Sequence, residues 1–241
     1  MCTLSYYPLS TGSFLLTSNR DESIKRAKAS LPQIRDFGFI KVLMPVDGER
    51  GGSWLGVNNN GRTACLLNGA FGPHKPRPPY RKSRGLILTD ALRYPDLDDF
   101  LENYSLQGIE PFTLVLAELN TKMRLIVMRW DGVQRHLETA DPAKAHLWSS
   151  AMLYPEIVRD ASALRYSEMI SSGKTGEDDF WQFNVEESYE KKVGRQGLKP
   201  YPGLQTRAIA SIRIQSGQIQ FRYFDTENKT ESLTRLKSEN H

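Results

Sequence analysis

The chain has 241 residues, 39% of them hydrophobic and 25% charged, and its 32 Lys and Arg against 28 Asp and Glu give a net charge of +4. This composition is typical of a soluble globular protein and excludes a disordered or disulfide-rich chain. The weak charge surplus argues against a nucleic-acid partner, and the chain has no apolar run long enough for a membrane span. The first residues also lack the pattern of a signal peptide, so we expect a cytoplasmic protein without stable membrane insertion.

An apolar run over Thr3–Tyr7, turn residues at 8–12 and a second apolar run over Ser13–Ser18 predict an N-terminal hairpin. In such a hairpin the numbers of facing residues add up to 21 or 22. Cys2 is then expected opposite Asn19 or Arg20, beside the most polar cluster of this region.

Further along the chain, Asn60-Gly61 between two apolar runs predicts a hairpin with a type I′ turn, in which Leu55 faces Leu66 and Ser53 faces Asn68. The glycine-rich stretch 48–56 lacks the context of a phosphate-binding loop. We interpret it as a place where the backbone of another segment approaches closely.

The remaining elements alternate between helical and strand-like patterns. The proline-rich basic stretch 74–84 predicts an extended loop, and Ser83 is expected to cap the helix that follows. The other predicted elements are a helix opened by Asp96, strands over Phe112–Leu119, Met123–Trp130 and Val133–Leu137, helices over Tyr154–Ser172 and Asp178–Lys191, and strands over Arg207–Ile214 and Gln218–Phe224. This order predicts one α+β domain over residues 1–241, with mostly antiparallel sheets covered by helices.

The two cysteines are too few for a structural zinc site and are expected to be free thiols, so we predict no metal site. Cys65 lies mid-strand and is expected in the core, whereas Cys2 follows only Met1. Removal of Met1 would leave an α-amino group that titrates near ~7.7–8.0 and can accept a proton from the thiol of its own residue. Cys2 is therefore a candidate nucleophile.

Polar residues near the predicted position of Cys2 suit this chemistry. Arg20 would hold a thiolate or a substrate carboxylate, and Asp21 would hold or orient the terminal amine. Asn68, at the end of a neighbouring strand, would donate to an oxyanion. The alternative is a solvated turn with exposed ion pairs, which spacing alone does not exclude.

Several motifs together resemble the NRDE family, also called the transport and Golgi organization protein 2 family. They are Met1-Cys2, Asn19-Arg20-Asp21-Glu22, Gly51-Gly52-Ser53-Trp54-Leu55-Gly56-Val57-Asn58, Gly61-Arg62, Leu67-Asn68 and Ser83-Arg84-Gly85, with looser matches at His146–Ser150 and Gln205-Thr206-Arg207.

The resemblance implies a fold similar to N-terminal nucleophile hydrolases, a four-layer αββα sandwich of two mostly antiparallel sheets. It implies that the catalytic residues are Cys2, Arg20, Asp21, Asn68 and Arg207. Four further motif residues are expected to bind the ligand, namely Asn19, Glu22, Trp54 and Arg84. Many family members have Ser-Asn where this chain has Ser149-Ser150, so an Asn donor is absent there.

Three functions stay open at this point. The first is a cysteine hydrolase, without a required cofactor, that acts on a linear amide or thioester bond of a small acyl ligand. The second is a non-catalytic carrier of haem, lipid or acyl-coenzyme A, in which the basic loop 74–84 binds the anionic groups of the ligand. The third is a binding module whose polar cluster is only structural.

Overall fold

A computed structural model describes residues 3–238 of the chain. Hydrophobic alternation and turn residues divide this part of the chain into strands and helices. The strands are β1 (Thr3–Ser10), β2 (Ser13–Ser23), β3 (Gln33–Asp36), β4 (Lys41–Met44), β5 (Leu55–Asn58), β6 (Thr63–Asn68), β7 (Phe112–Leu119), β8 (Met123–Trp130), β9 (Arg135–Ala140), β10 (His146–Ser149), β11 (Leu204–Gln215), β12 (Gln218–Asp225) and β13 (Thr230–Lys237). The helices are α1 (Arg84–Arg93), α2 (Leu97–Asn103), α3 (Glu156–Ser171), α4 (Glu177–Glu186) and α5 (Tyr189–Gly194).

The strands form two sheets in which neighbouring strands are antiparallel. The first sheet has the order β10-β1-β2-β11-β12-β13, and the second runs β3-β4-β5-β6-β7-β8-β9 in chain order. The meander predicted over residues 112–137 forms β7, β8 and β9 of the second sheet, and β9 begins two residues later and ends three residues later than its predicted strand. In the described part of the chain, no helix combines the length and apolar character needed to cross a bilayer.

Apolar side chains pack in three interfaces, one between the two sheets and one between each sheet and its helices. One cluster, which includes Leu16, Val57 and Ile212, lies between the sheets. A second cluster packs α1 and α2 on the outer face of the second sheet. Two smaller clusters pack α3, α4 and α5 against the first sheet. These contacts confirm the α+β fold class and the four-layer αββα sandwich.

The first hairpin has the predicted register, since Thr3 faces Asn19 and Leu4 faces Ser18, so facing residue numbers add up to 22. On its other side β2 pairs with β11, where Ile209 faces Asn19. The predicted position of Cys2 opposite Asn19 or Arg20 lies outside the described residues.

The predicted register of the second hairpin is wrong by one residue. Leu55 faces Cys65 rather than Leu66. The amide of Gly61 donates to the carbonyl of Asn58 at 3.0 Å, and Gly61 is the loop residue with positive φ, +83°. The loop is therefore a three-residue connection with one left-handed glycine, whereas a type I′ turn needs positive φ at two residues.

Two local predictions near helices also need correction. Ser83 occupies the N-cap position of α1, but its side chain makes no capping hydrogen bond. The helix predicted over 178–191 is interrupted, because Ser188 has an extended backbone with ψ of 148° and separates α4 from α5. Asp96 caps α2 as predicted, since its side chain accepts from the amide of Asp99 at 2.8 Å.

Two glycines let separate segments touch through their backbones. A Cβ atom on Gly52 would lie 2.3 Å from the carbonyl carbon of Gly85, and one on Gly85 would lie 2.9 Å from the carbonyl oxygen of Ser53. The amide of Ser53 donates to the carbonyl of Gly85 at 3.1 Å. This contact confirms the close approach predicted for the glycine-rich stretch, and it fixes the first turn of α1 against the segment that enters β5.

We expect Gly52→Ala to lower the free energy of unfolding by about 2–3 kcal/mol, because the added methyl group meets backbone that has no room to yield. Urea unfolding followed by circular dichroism measures this change. Gly194→Ala is the matched control, since a methyl group added there would meet no heavy atom within 4 Å. Equal stability of the two variants would contradict the close approach at Gly52.

Candidate functional site

A cavity of about 410 Å³ opens at the end of the sandwich where β2 and β6 end. Its walls come from both sheets, the loop before α1 and the first turn of that helix. The lining residues are Arg20, Glu22, Arg26, Asp47, Arg50, Gly52, Ser53, Trp54, Leu66, Asn68, Pro78, Pro79, Tyr80, Lys82, Ser83, Arg84, Gly85 and Glu110. Five of these side chains are cationic and three are carboxylates, so the cavity favours anionic groups.

Arg20 is held rigidly in the wall of this cavity. The side chain is 3% exposed, and its Nη2 donates to Oδ2 of Asp47 at 2.7 Å. Its guanidinium carbon lies 5.0 Å from the ring centroid of Trp54, a cation–π distance. A buried cation in this position is paired and oriented, as burial of a charge requires.

Asp47 binds two arginines and its own loop. Arg26 donates to it from Nε at 2.8 Å and from Nη2 at 3.0 Å, and the amides of Glu49 and Arg50 donate to Oδ1. Burial alone would raise the pKa of Asp47, but the hydrogen bonds from Arg26 and Arg50 and the two guanidinium charges lower it to about 2. Asp47 is therefore ionised and holds Arg20 in place.

The polar motif over residues 19–22 is divided between the two faces of β2. Arg20 and Glu22 line the cavity. Asn19 instead donates from Nδ2 to the carbonyls of Asn184 and Glu187, both at 2.9 Å, in the helical layer. Successive side chains of a strand point to opposite faces, so Asn19 is directed away from this cavity, and its predicted role in ligand binding stays a prediction.

Asp21 lies on the same face of β2 as Asn19. Its carboxylate accepts hydrogen bonds from the hydroxyls of Tyr154 and Thr206, both at 2.5 Å. Arg20 and Asp21 are neighbours in sequence but do not line the same wall, because β2 alternates between them.

Asn68, the last residue of β6, and Trp54, which directly precedes β5, also line the cavity. The carbonyl of Asn68 accepts from Oγ of Ser150 at 2.8 Å, which ties the end of β6 to the segment after β10. Trp54 is 1% exposed, and its Nε1 has no hydrogen-bond acceptor among residues 3–238. This indole donor is therefore buried without a hydrogen-bond partner in the described part of the chain.

Arg84 lines the opposite wall, where Nη2 lies 3.2 Å from Oε2 of Glu110 and Nη1 donates to the carbonyl of Pro111. Burial lowers the pKa of Arg84, and the charge of Glu110 opposes that shift. His74 lies behind this pair, with Nε2 3.3 Å from Oε1 of Glu110. Part of the basic loop is thus built into the cavity wall.

Arg207 does not line the cavity. A bulge between Thr206 and Ala208 leaves Arg207 as the extra residue of β11 opposite β2. Its guanidinium donates to the carbonyl of Ser23 at 3.1 Å and to Glu227 at 2.6 Å. The bulge redirects this side chain away from the cavity, and its predicted catalytic role stays a prediction.

Sequence reasoning missed four charged residues of this cavity, Arg26, Asp47, Arg50 and Glu110. Asp47 follows β4 in a turn, and its side chain accepts from the backbone two and three residues later, as turn aspartates commonly do. The Asp47-Gly48 pair signals that turn. Nothing in the spacing links it to Arg20.

The structure describes one of the two cysteines, Cys65. Cys2 lies outside the described residues. Cys65 is fully buried between the sheets, and burial raises its pKa to about 12, while the hydroxyl of Ser18 acts in the opposite direction. Within residues 3–238, no group of three or more His, Cys, Asp or Glu side chains is arranged to hold a metal ion.

The model of one protein family matches almost the whole chain. The family is described as Transport and Golgi organisation 2, and the match covers residues 1–235. No curated protein matches the chain.

Solved structures with the same fold are distant in sequence. A cysteine-to-alanine mutant of the conjugated bile acid hydrolase from Clostridium perfringens is 11% identical, with a TM-score of 0.61 over 97% of this chain and 92% of that one. An arginine-to-leucine variant of the same hydrolase is 12% identical, with a TM-score of 0.62 over the same shares. The N-acylethanolamine-hydrolyzing acid amidase ortholog of Caenorhabditis elegans is 10% identical, with a TM-score of 0.56 over 88% of this chain and 92% of that one. These similarities establish the fold of N-terminal nucleophile hydrolases.

We expect Asp47→Asn to destabilise the protein by about 3 kcal/mol at neutral pH, because it leaves the buried Arg20 without its counter-charge. The stabilisation from Asp47 is present above pH about 4 and is lost as the pH falls towards 2, since its pKa is lowered in the folded state. Urea unfolding at several pH values should therefore show the difference between wild type and variant narrowing in acid.

Asp178→Asn is the matched control, because Asp178 also pairs with an arginine, Arg222, at 3.3 Å but is 96% exposed. Its effect should stay within about 0.5 kcal/mol. A pH-independent effect of Asp47→Asn would rule out the ionised pair as the cause.

Proposed function

Because the chain belongs to the Transport and Golgi organisation 2 family and has the fold of N-terminal nucleophile hydrolases, we propose that it is a cysteine hydrolase of linear amide or thioester bonds. Cys2 is the proposed nucleophile. The names of the structural neighbours, a conjugated bile acid hydrolase and an acid amidase, support an acyl substrate.

The observation that carries this proposal is the convergence of fixed donors on one cavity. Arg20 is buried, oriented by Asp47 and stacked on Trp54, and Asn68 lines the same cavity from the other sheet. Donors that are already oriented stabilise developing negative charge without reorganising during the reaction. A rigid guanidinium and an amide in one cavity are suited to a carbonyl oxygen that becomes an oxyanion.

Chain connectivity supports a role for Cys2 at this cavity. Cys2 is bonded to Thr3, Thr3 faces Asn19 on β2, and Asn19 is followed by Arg20. Adjacent Cα atoms are about 3.8 Å apart, so a residue next to Thr3 is within reach of the end of β2. This supports Cys2 as the group that attacks at the cavity.

In the proposed reaction the thiolate of Cys2 attacks the carbonyl carbon and forms a tetrahedral oxyanion, which Arg20 and Asn68 stabilise. Collapse breaks the bond to nitrogen or sulfur, and the leaving group departs with a proton. Water then attacks the acyl-thioester, which releases the acid and restores the thiol. After removal of Met1, the α-amine of Cys2 accepts the thiol proton and returns it to the leaving group.

We expect Cys2→Ala to reduce hydrolysis of N-acyl anilides and acyl thioesters to the uncatalysed background, whereas Cys65→Ala keeps the wild-type rate. Iodoacetamide should alkylate one thiol of the native protein, at Cys2, because the high pKa of the buried Cys65 leaves it unreactive. Intact mass spectrometry measures the label and reports whether Met1 has been removed. Undiminished activity of Cys2→Ala would overturn the proposed nucleophile.

The second candidate is a non-catalytic carrier of haem, lipid or acyl-coenzyme A in the cytoplasm. The cationic surplus of the cavity favours it, since Arg50, Lys82 and Arg84 line a wall that suits carboxylate or phosphate groups. Tyr80, Pro78 and Pro79 supply apolar surface beside these charges. As a carrier, the protein would need no turnover and no cofactor beyond its cargo.

A carrier should show a saturable shift of the haem absorbance band at micromolar protein, or saturable binding of acyl-coenzyme A by calorimetry. Arg84→Met should weaken that binding about tenfold by removing one charged contact, and His74→Ala tests an iron ligand. The carrier would be favoured if Cys2→Ala still binds haem or acyl-coenzyme A and the wild-type protein shows no hydrolysis. The enzyme would be favoured if neither haem nor acyl-coenzyme A binds and hydrolysis depends on Cys2.

A further inference from the structure

A second cavity, of about 440 Å³, lies at the same end of the sandwich and is separate from the first. Its lining residues are Leu67, Ala70, Phe71, Thr113, Arg129, Leu147, Trp148, Ser149, Ala151, Arg159, Asp160 and Ala163. None of them lines the first cavity. The second cavity therefore goes beyond the proposed function, which uses only the first.

The floor of this cavity is a row of facing residues in the second sheet. Leu67 on β6 faces Thr113 on β7, and Thr113 faces Arg129 on β8. Directly opposed residues of antiparallel strands project on the same side, so this row forms one continuous surface. The opposite wall comes from β10 and α3.

Arg159 supplies a positive charge that the protein itself does not neutralise. Its Nε is buried without a hydrogen-bond acceptor, and its guanidinium makes no ion pair with any residue of 3–238. Arg159 is only partly buried, and its Nη groups make no hydrogen bond to residues 3–238 and stay accessible from the cavity. A ligand oxygen in this cavity would bind these Nη groups.

The other charged groups near the cavity leave Arg159 as the cation available to a ligand. Arg129 donates to Glu138 at 2.6 Å and lies 5.7 Å from the ring centroid of Phe71. Asp160 lines the rim but is exposed and does not pair with Arg159.

The rest of the lining is apolar and aromatic. Phe71 is 56% exposed, and its ring meets His136 edge-on at 5.0 Å. Trp148 stacks on His146 with an interplanar angle of 17°, which fixes the indole in the wall. Exposed and half-buried aromatic rings beside an unpaired guanidinium are typical of a site for an amphipathic anion.

We propose that this second cavity binds a monocarboxylate with an aromatic or apolar body. The carboxylate bonds to the guanidinium of Arg159, and the body packs between Phe71 and Trp148 over Leu67. The volume suits a small molecule and falls within the usual range of ligand pockets.

The test is calorimetric titration of the full chain with 1-naphthoate, with the neutral 1-naphthalenemethanol as comparator. We expect saturable 1:1 binding of the acid and at least about tenfold weaker binding of the alcohol. Arg159→Met should weaken naphthoate binding about ten- to hundredfold, because a hydrogen bond to a charged group is lost. Equal binding of acid and alcohol, or no saturable binding of the acid, would overturn the proposal.

Two further variants locate the ligand. Ala163→Trp fills the rim from an exposed helical position and should also weaken binding, which tests the cavity without removing a charge. Arg50→Met removes an exposed cation of the first cavity and should leave naphthoate binding unchanged. The opposite result, in which Arg50→Met abolishes binding and Arg159→Met does not, would place the ligand in the first cavity and overturn the assignment. Neither result depends on hydrolysis, so failure here is distinguishable from failure of the proposed enzyme.

Discussion

The pair formed by Arg20 and Asp47 is the interaction on which the candidate site depends. Arg20 belongs to β2 of the first sheet, and Asp47 lies in the segment between β4 and β5 of the second. The pair therefore joins the two sheets at the end where the cavity opens. Ion pairs at this depth add little net stability, because desolvation offsets much of the attraction. The pair instead holds Arg20 in position, and loss of either partner would leave a buried charge without its counter-charge.

The opposite face of β2 is fixed just as firmly to the helical layer. Asn19 bonds to carbonyls at the end of α4, and Asp21 bonds to Tyr154 and Thr206. Near this face the fully buried Glu187 pairs with Arg165 at 3.1 Å and accepts from Ser162. A strand held on both faces has little freedom to move, so Arg20 is already oriented before any ligand binds.

Local patterns predicted most of the fold. The meander predicted over residues 112–137 and the register of the first hairpin follow from alternation and turn residues, which act over a few positions. The short, fully exposed β3 has no buried face and so carries no such pattern. The predicted loop of the second hairpin is wrong because Asn-Gly is compatible with more than one turn. The conformation of Gly61 decides between them.

The candidate site was predictable only in part, because it is built from long-range contacts. Motif resemblance named Arg20, Glu22, Trp54, Asn68 and Arg84, all of which line the cavity. It could not reveal that a bulge turns Arg207 away, since a bulge depends on how β11 pairs with β2. Asp47 was missed for the same reason, because its partner on β2 is distant in sequence.

Alternation along a strand also explains why the chain has two separate cavities at one end. Leu67 and Asn68 are consecutive residues of β6, and each lines a different cavity. Neighbouring side chains of a strand project in opposite directions, so the end of β6 forms a partition between the two spaces. The carbonyl of Asn68 is bound by Ser150, which holds that partition in place. Each cavity can therefore take a ligand of its own chemistry, one lined by several cations and the other by aromatic rings around a single unpaired arginine.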